Sequence, residues 1–194
     1  MKKVVKNVIH VVILNVKKMV TTKNGDGGKT TVFGGKTKLK YDPQIEALGQ
    51  LDEFFSLLGL IRSYLKNNQE KKLFIKIQKN IYLINSLLAG QKEKEELIIK
   101  TLNNDLSQIE RINNNLSAKL NPLNKFILPG GEKINGWLHF LRAVCRRVER
   151  RVVFYLFKEK LEKKYKIIIQ YLNRLSDLFF LLSRSHQKKE IVLE

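Results

Sequence analysis

Apolar positions recur at three- and four-residue steps in five separate stretches of this chain. The first carries Ile45, Leu48, Leu51, Phe55, Leu58 and Ile61, and the second Leu73, Ile77, Ile81, Ile84 and Leu88. A weaker third lies between Leu102 and Leu120; the fourth carries Ile134, Leu138, Leu141, Cys145, Val148 and Val152, and the fifth Ile168, Leu172, Leu175, Phe179 and Leu182. That spacing puts each set on one face of a 3.6-residue helix. Asp42 followed by Pro43 predicts the start of the first helix, which runs to about Leu65, because Asp caps a helix and Pro fits its first turn. The second stops at Gly90, the third breaks at Pro122, and the fifth runs from about Glu162 to Arg184. FILPGG, Phe126 to Gly131, is a loop, since Pro129 and two glycines cannot continue a helix. From Met19 to Asp42 the chain is too rich in glycine for a helix interior and reads as a short extended piece and a loop. Five helices without convincing strand pairs predict an all-α protein, a five-helix bundle of ferritin-like up-down topology.

Length and hydrophobic content, 194 residues and 43%, suit one well-buried core, so residues 19–194 are expected to form one domain. Residues 1–18 begin basic and turn apolar, as a signal peptide does. Lys6, Asn7 and His10 interrupt the apolar run and no small-residue cleavage site follows, so this segment is expected to be a dispensable extension. The net charge of +19 invites a nucleic-acid reading. Its distribution argues against it: lysines are scattered beside Asn and Ile, as in an AT-rich coding bias, whereas most arginines crowd between Arg142 and Arg184. No stretch approaches the roughly 20 apolar residues of a membrane span. The single cysteine, Cys145, excludes an intramolecular disulfide and has apolar helical neighbours that predict a buried thiol. His10, His139 and His186 are isolated, which offers no histidine pair for a metal. A reducing, cytoplasmic location is expected.

Two motifs carry chemistry. TTKNGDGGKTTVFGG, Thr21 to Gly35, can aim several backbone N–H groups at one anion, and RAVCRRVERRV, Arg142 to Val152, can neutralise it with paired hydrogen bonds. GGKT within the first resembles the end of a P-loop, yet a P-loop needs glycine where Lys23 stands and a helix that starts sooner. On the fourth helix Arg142, Arg146 and Glu149 fall within about 60° of one another at the edge of the apolar stripe. They suit a half-buried site or a subunit boundary, while Arg147 and Arg151 point away, toward solvent or the far end of a ligand. A solvated, salt-bridged face is the plain alternative. The choice of arginine in a chain that otherwise uses lysine favours bidentate anion recognition. On the fifth helix Asn173, Asp177 and Arg184 share a face opposite the apolar stripe.

Four blocks in order, TTKNGDGGKTTVFGG, KYDPQIEALGQLDEFFSLLGLIRS, FILPGGEKINGWLHFLRAVCRRVERRVV and YLNRLSDLFFLLSR, cover most of Val20 to Arg184. With them the chain resembles the ATP:cob(I)alamin adenosyltransferases of the trimeric, five-helix-bundle type. The resemblance implies a homotrimer that binds ATP, Mg²⁺ and reduced corrinoid at its subunit interfaces. It transfers the 5′-deoxyadenosyl group of ATP to cobalt, giving adenosylcobalamin and triphosphate. It also implies that Thr22, Lys23, Gly25, Asp26, Gly28, Thr30 and Lys40 of the N-terminal nucleotide-binding segment wrap the polyphosphate. Arg146, Glu149 and Asn173 hold the nucleotide, Arg142 pairs across the interface with Asp52, and Asp177 helps organise the site. Phe126 matches the aromatic that displaces the lower axial ligand of cobalamin, and Phe180 lines the corrin pocket. A flavin reductase and an adenosylcobalamin-dependent enzyme are the partners such a protein implies; nucleic acid and membrane are not.

The chain departs from the family pattern at Phe55, where Asn is usual, at Thr21, where Tyr is usual, and at Lys29 and Thr31 in the glycine-threonine run. Phe55 can extend the core stripe, and Lys29 adds positive charge where polyphosphate would sit. A non-enzymatic chaperone or sensor for adenosylcobalamin and ATP would use the same pocket, so turnover separates the two.

Overall fold

The computed structural model describes residues 23–187 and 189–193. The 1–18 extension, Thr21 and Thr22 lie outside the described residues. A short antiparallel hairpin, β1 (Lys29–Thr31) and β2 (Thr37–Leu39), precedes five helices: α1 (Pro43–Tyr64), α2 (Asn68–Leu88), α3 (Glu95–Ser117), α4 (Lys133–Lys158) and α5 (Lys166–Ser185). Asp42 caps α1 by accepting from the Gln44 backbone N–H at 2.8 Å. Asn67 caps α2 in the same way through Gln69, at 2.7 Å. Each cap satisfies a helix N–H that has no intrahelical acceptor.

The helices form a ring in the order α1, α2, α3, α5, α4, because α1 packs on α2 and α4, while α5 packs on α3 and α4. Side-chain pairs give their directions. Gln44 at the start of α1 donates to the Leu88 carbonyl at the end of α2. Tyr64 stacks on Trp137 while Glu46 pairs with Arg151, so α1 runs against α4. Asn80 bonds Tyr171 while Glu70 bonds His186, so α2 runs against α5. The alternation is up-down-up-down-up, as expected, with the 118–132 connection crossing one end of the bundle.

The core is built around Phe179, whose ring meets Phe54 at 6.0 Å and Phe74 at 5.9 Å. Edge-on aromatic contacts add to the area these rings remove from water. On α1 the buried face is Ala47, Leu51, Phe54, Leu58 and Ile61, one residue away from the predicted stripe at Phe54. Ile45, Leu48 and Phe55 are half-buried beside it; Phe55 packs against the core, as the departure from the family pattern suggested. α3 was the faintest helix in sequence because its buried face carries Asp105 and Asn113. The first is satisfied inside: Asn80 Nδ2 donates to Asp105 at 2.7 Å and to the Tyr171 hydroxyl at 2.8 Å, and Lys76 pairs with the same carboxylate. A buried polar network of this kind is tolerable only when its members find partners.

Three expectations need correction. The third helix, expected between Leu102 and Leu120, runs from Glu95 to Ser117. The N-terminal segment does pair as strands, Thr30 opposite Lys38, with Gly34 and Gly35 at φ +87° and +81° making the reversal. Glycine there supplies the left-handed backbone such a turn demands. α5 begins at Lys166, not Glu162, because Lys160 at φ +56° turns the chain after α4, which itself extends to Lys158.

Candidate active site

α4 and α5 pack side by side and leave a groove on their outer face. Arg146, Glu149, Arg150, Val153, Phe154 and Phe157 of α4 line it with Asn173 of α5, around a volume of about 530 Å³. Asn173 Nδ2 donates to Glu149 Oε1 at 3.3 Å. Arg146, Glu149 and Asn173, which periodicity placed on two separate helices, therefore meet at one site. One end of the site is cationic and polar; the other is a shelf of exposed aromatic carbon, with Phe154 and Phe157 more than half exposed.

Toward the N-terminal end of α4, the Arg142 guanidinium lies over the Phe180 ring at 5.3 Å. The guanidinium of Arg184 approaches the same ring at 6.0 Å, and the His139 ring meets it edge-on at 6.1 Å. Burial and the neighbouring Arg142 hold the His139 imidazole below its ordinary pKa, so it is neutral near pH 7. Asp177 is exposed one turn from Asn173 and lines a second groove with Glu110, Asn113, Arg174 and Leu181. Phe126 is 84% exposed at the tip of the α3–α4 connection. Its carbonyl accepts from Leu193 N at 2.8 Å, so the last described residues brace that tip.

The remaining α4 arginines do something else. Arg147 Nε donates to Gln50 at 2.8 Å and its guanidinium pairs with Glu53, while Arg151 reaches Glu46 at 3.5 Å. They join α4 to α1 while staying 41% and 54% exposed, so the expected direction toward solvent holds and each also reaches a carboxylate of α1. A correction concerns Arg184, expected on an exposed face with Asn173 and Asp177. It is 7% exposed, bonded to Glu190 at 2.5 Å and to the Asn121 carbonyl at 2.7 Å, because the chain after α5 folds back over it. Cys145 is fully buried, and burial raises its thiol pKa well above the usual range, as an inert core thiol requires.

The glycine-rich residues gather in the turn before β1. Asp26 N donates to the Lys23 carbonyl and Gly28 N to the Gly25 carbonyl, both at 3.2 Å; Lys40 N donates to the Gly28 carbonyl at 2.9 Å. Gly28 has φ +73°, and a Cβ on Gly25 would lie 3.1 Å from Lys40 Nζ. Lys23 and Asp26 belong to this exposed turn, Lys29 and Thr30 open β1 directly after it, and Lys40 follows β2 with its Nζ beside Gly25. Among the described residues no hydrogen bond or ion pair joins this turn to the Arg146 groove, and none joins Arg142 to Asp52, which is exposed on α1. The sequence reading did not single out Arg150, Phe154 and Phe157 as groove residues. Their spacing from Arg146, at four, eight and eleven positions, was a readable signal for one helix face.

Comparison with known proteins identifies the family. The family model described as cobalamin adenosyltransferase matches residues 20–186. The chain is 35% identical to the corrinoid adenosyltransferase of Bacillus subtilis (strain 168) over 167 residues, which are 84% of this chain and 83% of that protein. It is 34% identical to corrinoid adenosyltransferase MMAB of Homo sapiens over 177 residues, 88% of this chain and 70% of that protein. With corrinoid adenosyltransferase PduO of Citrobacter freundii it shares 32% identity over 169 residues, and it spans about half of that longer protein. Among solved structures it is similar to a variant PduO-type ATP:corrinoid adenosyltransferase from Lactobacillus reuteri complexed with cobalamin and ATP. The TM-score there is 0.78 at 26% identity, covering 90% of this chain and 99% of the other. With one family matched across the hairpin, the bundle and both helices of the groove, this chain belongs to the cobalamin adenosyltransferases.

Proposed function

We propose that this chain transfers the 5′-deoxyadenosyl group of ATP to the cobalt of a reduced corrinoid. The observation that carries the reading is the meeting of Arg146, Glu149 and Asn173 on one groove beside an aromatic shelf, in a chain of this family. In the reaction the Co(I) electron pair of the corrinoid substrate attacks C5′ of ATP. A Co–C bond forms, the C5′–O bond breaks, and triphosphate leaves with that bond's electrons. Such a nucleophile needs no protein base to deprotonate it. The chain's own contribution is positioning and charge. Negative charge gathers on the departing oxygen, so Arg146 and the lysines of the turn bind the transition state more strongly than they bind ATP.

The exposed aromatic shelf and the separation of the glycine-rich turn from the groove support a homotrimer in which the turn of one subunit closes over the groove of the next. Arg142 then pairs with Asp52 of the neighbouring subunit. Among the described residues no three His, Cys, Asp or Glu side chains converge. A Mg²⁺ ion arriving with ATP would be held largely by phosphate oxygens and water. Thr22, Lys23, Gly25, Asp26, Gly28, Thr30 and Lys40 would cradle those phosphates. Exposed Phe126 excludes water and the lower ligand from cobalt, Phe180 lines the corrin pocket, and Asp177 helps organise the site. No helix among the described residues is long and apolar enough to cross a membrane.

An anaerobic assay with chemically reduced cob(I)alamin, ATP and Mg²⁺ tests this directly. Adenosylcobalamin and free triphosphate are the expected products, identified by spectrum and mass. Binding of both substrates without turnover would replace the enzyme with a carrier or sensor.

A further inference from the structure

Arg174 stands next to Asn173 on α5 and faces α3. Its Nη1 donates to Asn173 Oδ1 at 2.7 Å and its Nε to Glu110 Oε1 at 3.0 Å. Asn113 of α3 holds the same turn of α5 by donating to the Arg174 carbonyl at 3.2 Å. On the other side, Asn173 Nδ2 donates to Glu149 Oε1 at 3.3 Å. A chain of hydrogen bonds therefore runs Glu110, Arg174, Asn173, Glu149, from a helix that does not line the 530 Å³ groove to the groove itself.

An amide side chain has a donor end and an acceptor end of nearly equal shape, and its neighbours decide which way it points. Guanidinium only donates and carboxylate only accepts. Turned over, Asn173 would set its NH₂ against the Arg174 guanidinium and its oxygen against the Glu149 carboxylate, so both contacts would repel. Both partners select the same orientation. The Arg174–Glu110 pair is about 40% exposed on each side and is screened by solvent, so its contribution is to hold the guanidinium in place more than to stabilise the fold. Glu149 takes one N–H of the Asn173 amide, and among the described residues no other acceptor meets that nitrogen.

We propose that Arg174 is a positioning residue of the nucleotide site: by fixing the Asn173 amide with its NH₂ toward the groove, it makes the site demand a hydrogen-bond acceptor from the nucleoside of ATP at that point. This rests on the groove being the ATP site. It assigns to α3, through Glu110, an influence on nucleotide affinity that the groove lining alone does not reveal.

The test is equilibrium binding of ATP to the full chain carrying Asn173→Ala, Arg174→Met or both, with cobalamin binding measured in parallel. The expected result is about a fivefold loss of ATP affinity in Arg174→Met, the size of one net hydrogen bond. That loss should vanish in the Asn173→Ala background, and cobalamin affinity should stay unchanged. Wild-type ATP affinity in Arg174→Met, or the same loss with and without Asn173, overturns the assignment. If Asn173→Ala alone binds ATP as the wild type does, the groove is not the nucleotide site and the inference falls with that reading. Should Arg174→Met fail to fold, Glu110→Gln, which only loosens the guanidinium, is expected to show the same background dependence at smaller size.

Discussion

α4 carries two rows of arginine that differ by one residue in sequence and by their whole surroundings in space. Arg147 and Arg151 lean over α1 and find Gln50, Glu53 and Glu46 there. Arg142, Arg146 and Arg150 lean toward α5, and among the described residues none of the three is in an ion pair; Arg142 rests on the Phe180 ring, and Arg146 and Arg150 open on the groove. Sequence composition treats these five residues alike. The helical phase and the partner helix do not, since 100° per residue carries neighbouring side chains to different seams of the bundle. The row that meets carboxylates within the chain is consumed by folding. The other row meets no carboxylate among the described residues; on the function proposed above, Arg146 is left for the nucleotide and Arg142 for Asp52 of a neighbouring subunit.

The sharpest way to break this comparison is to truncate one arginine from each row. Arg146→Ala is expected to lower kcat for adenosyl transfer by about two to three orders of magnitude, the usual consequence of removing one preorganised donor from a developing anion. Circular dichroism and the melting temperature should stay at wild-type values. Normal turnover in Arg146→Ala would remove the functional half of the contrast.

The seam row should answer in the opposite currency. Arg147→Ala combined with Arg151→Ala is expected to leave kcat and the ATP KM within about twofold, because neither side chain lines the groove. Stability should fall by about 1 kcal/mol at most, given pairs that are 40–55% exposed and screened. That corresponds to a melting shift of about 2–4 °C in a domain of this size, smaller at high salt. A large loss of activity without unfolding would mean that the two rows are one functional surface.

The glycine-rich turn offers a smaller test of how far the ligand row's work is shared. Gly25 does not have positive φ, so Gly25→Ala meets no backbone strain, but its Cβ would crowd Lys40 Nζ at 3.1 Å. The flexible lysine can move aside. A few-fold rise in ATP KM with an unchanged melting temperature is the expected outcome, measured by initial rates at varied ATP. An unchanged KM would take Lys40 out of the phosphate cradle.

Much of this arrangement is legible in the sequence. The faces of α4 and α5 follow the sequence stripes closely: Leu138, Leu141, Cys145, Val148 and Val152 are buried, with Ile134 half-buried at the start of α4, and Ile168, Leu172, Leu175, Phe179 and Leu182 are buried on α5. Periodicity worked there because the stripes are purely apolar and long. It blurred at α3, where buried Asp105 and Asn113 read as solvent positions, and it missed by one residue at α1, where Phe55 is expected in the stripe and Phe54 is the buried ring. The hairpin hid behind its glycines, which predict turns without saying that the flanking threonines pair. Which arginines would be spent on α1 was not legible, because periodicity fixes a side chain's direction and says nothing of the helix it will meet. Arg184 shows the same limit: its face was right, but a tail of irregular chain covers that face.

The two described histidines give the smallest prediction and a last control on the comparison. The Glu70 carboxylate lies 3.0 and 3.1 Å from His186 Nε2, and this hydrogen bond raises the imidazole pKa above its ordinary 6.5, with burial opposing it. Protonated His186 therefore favours the folded state. That contribution is full below pH 6.5 and fades as pH rises through the folded-state value. His139 has the opposite sign: its lowered pKa favours the neutral form, so its contribution is present above pH 6.5 and is lost as pH falls. The two oppose each other in the wild-type pH profile, and Glu70→Gln isolates the His186 contribution. The melting-temperature difference between wild type and Glu70→Gln is expected to be greatest near pH 6, about 2–4 °C for a term of up to about 1 kcal/mol, and to close toward pH 9. Throughout that range the ATP affinity of the Arg146 row should be the same in both proteins, because Glu70 joins the ends of α2 and α5, away from the groove lining. A difference that widens as pH rises would reverse the sign assigned to His186.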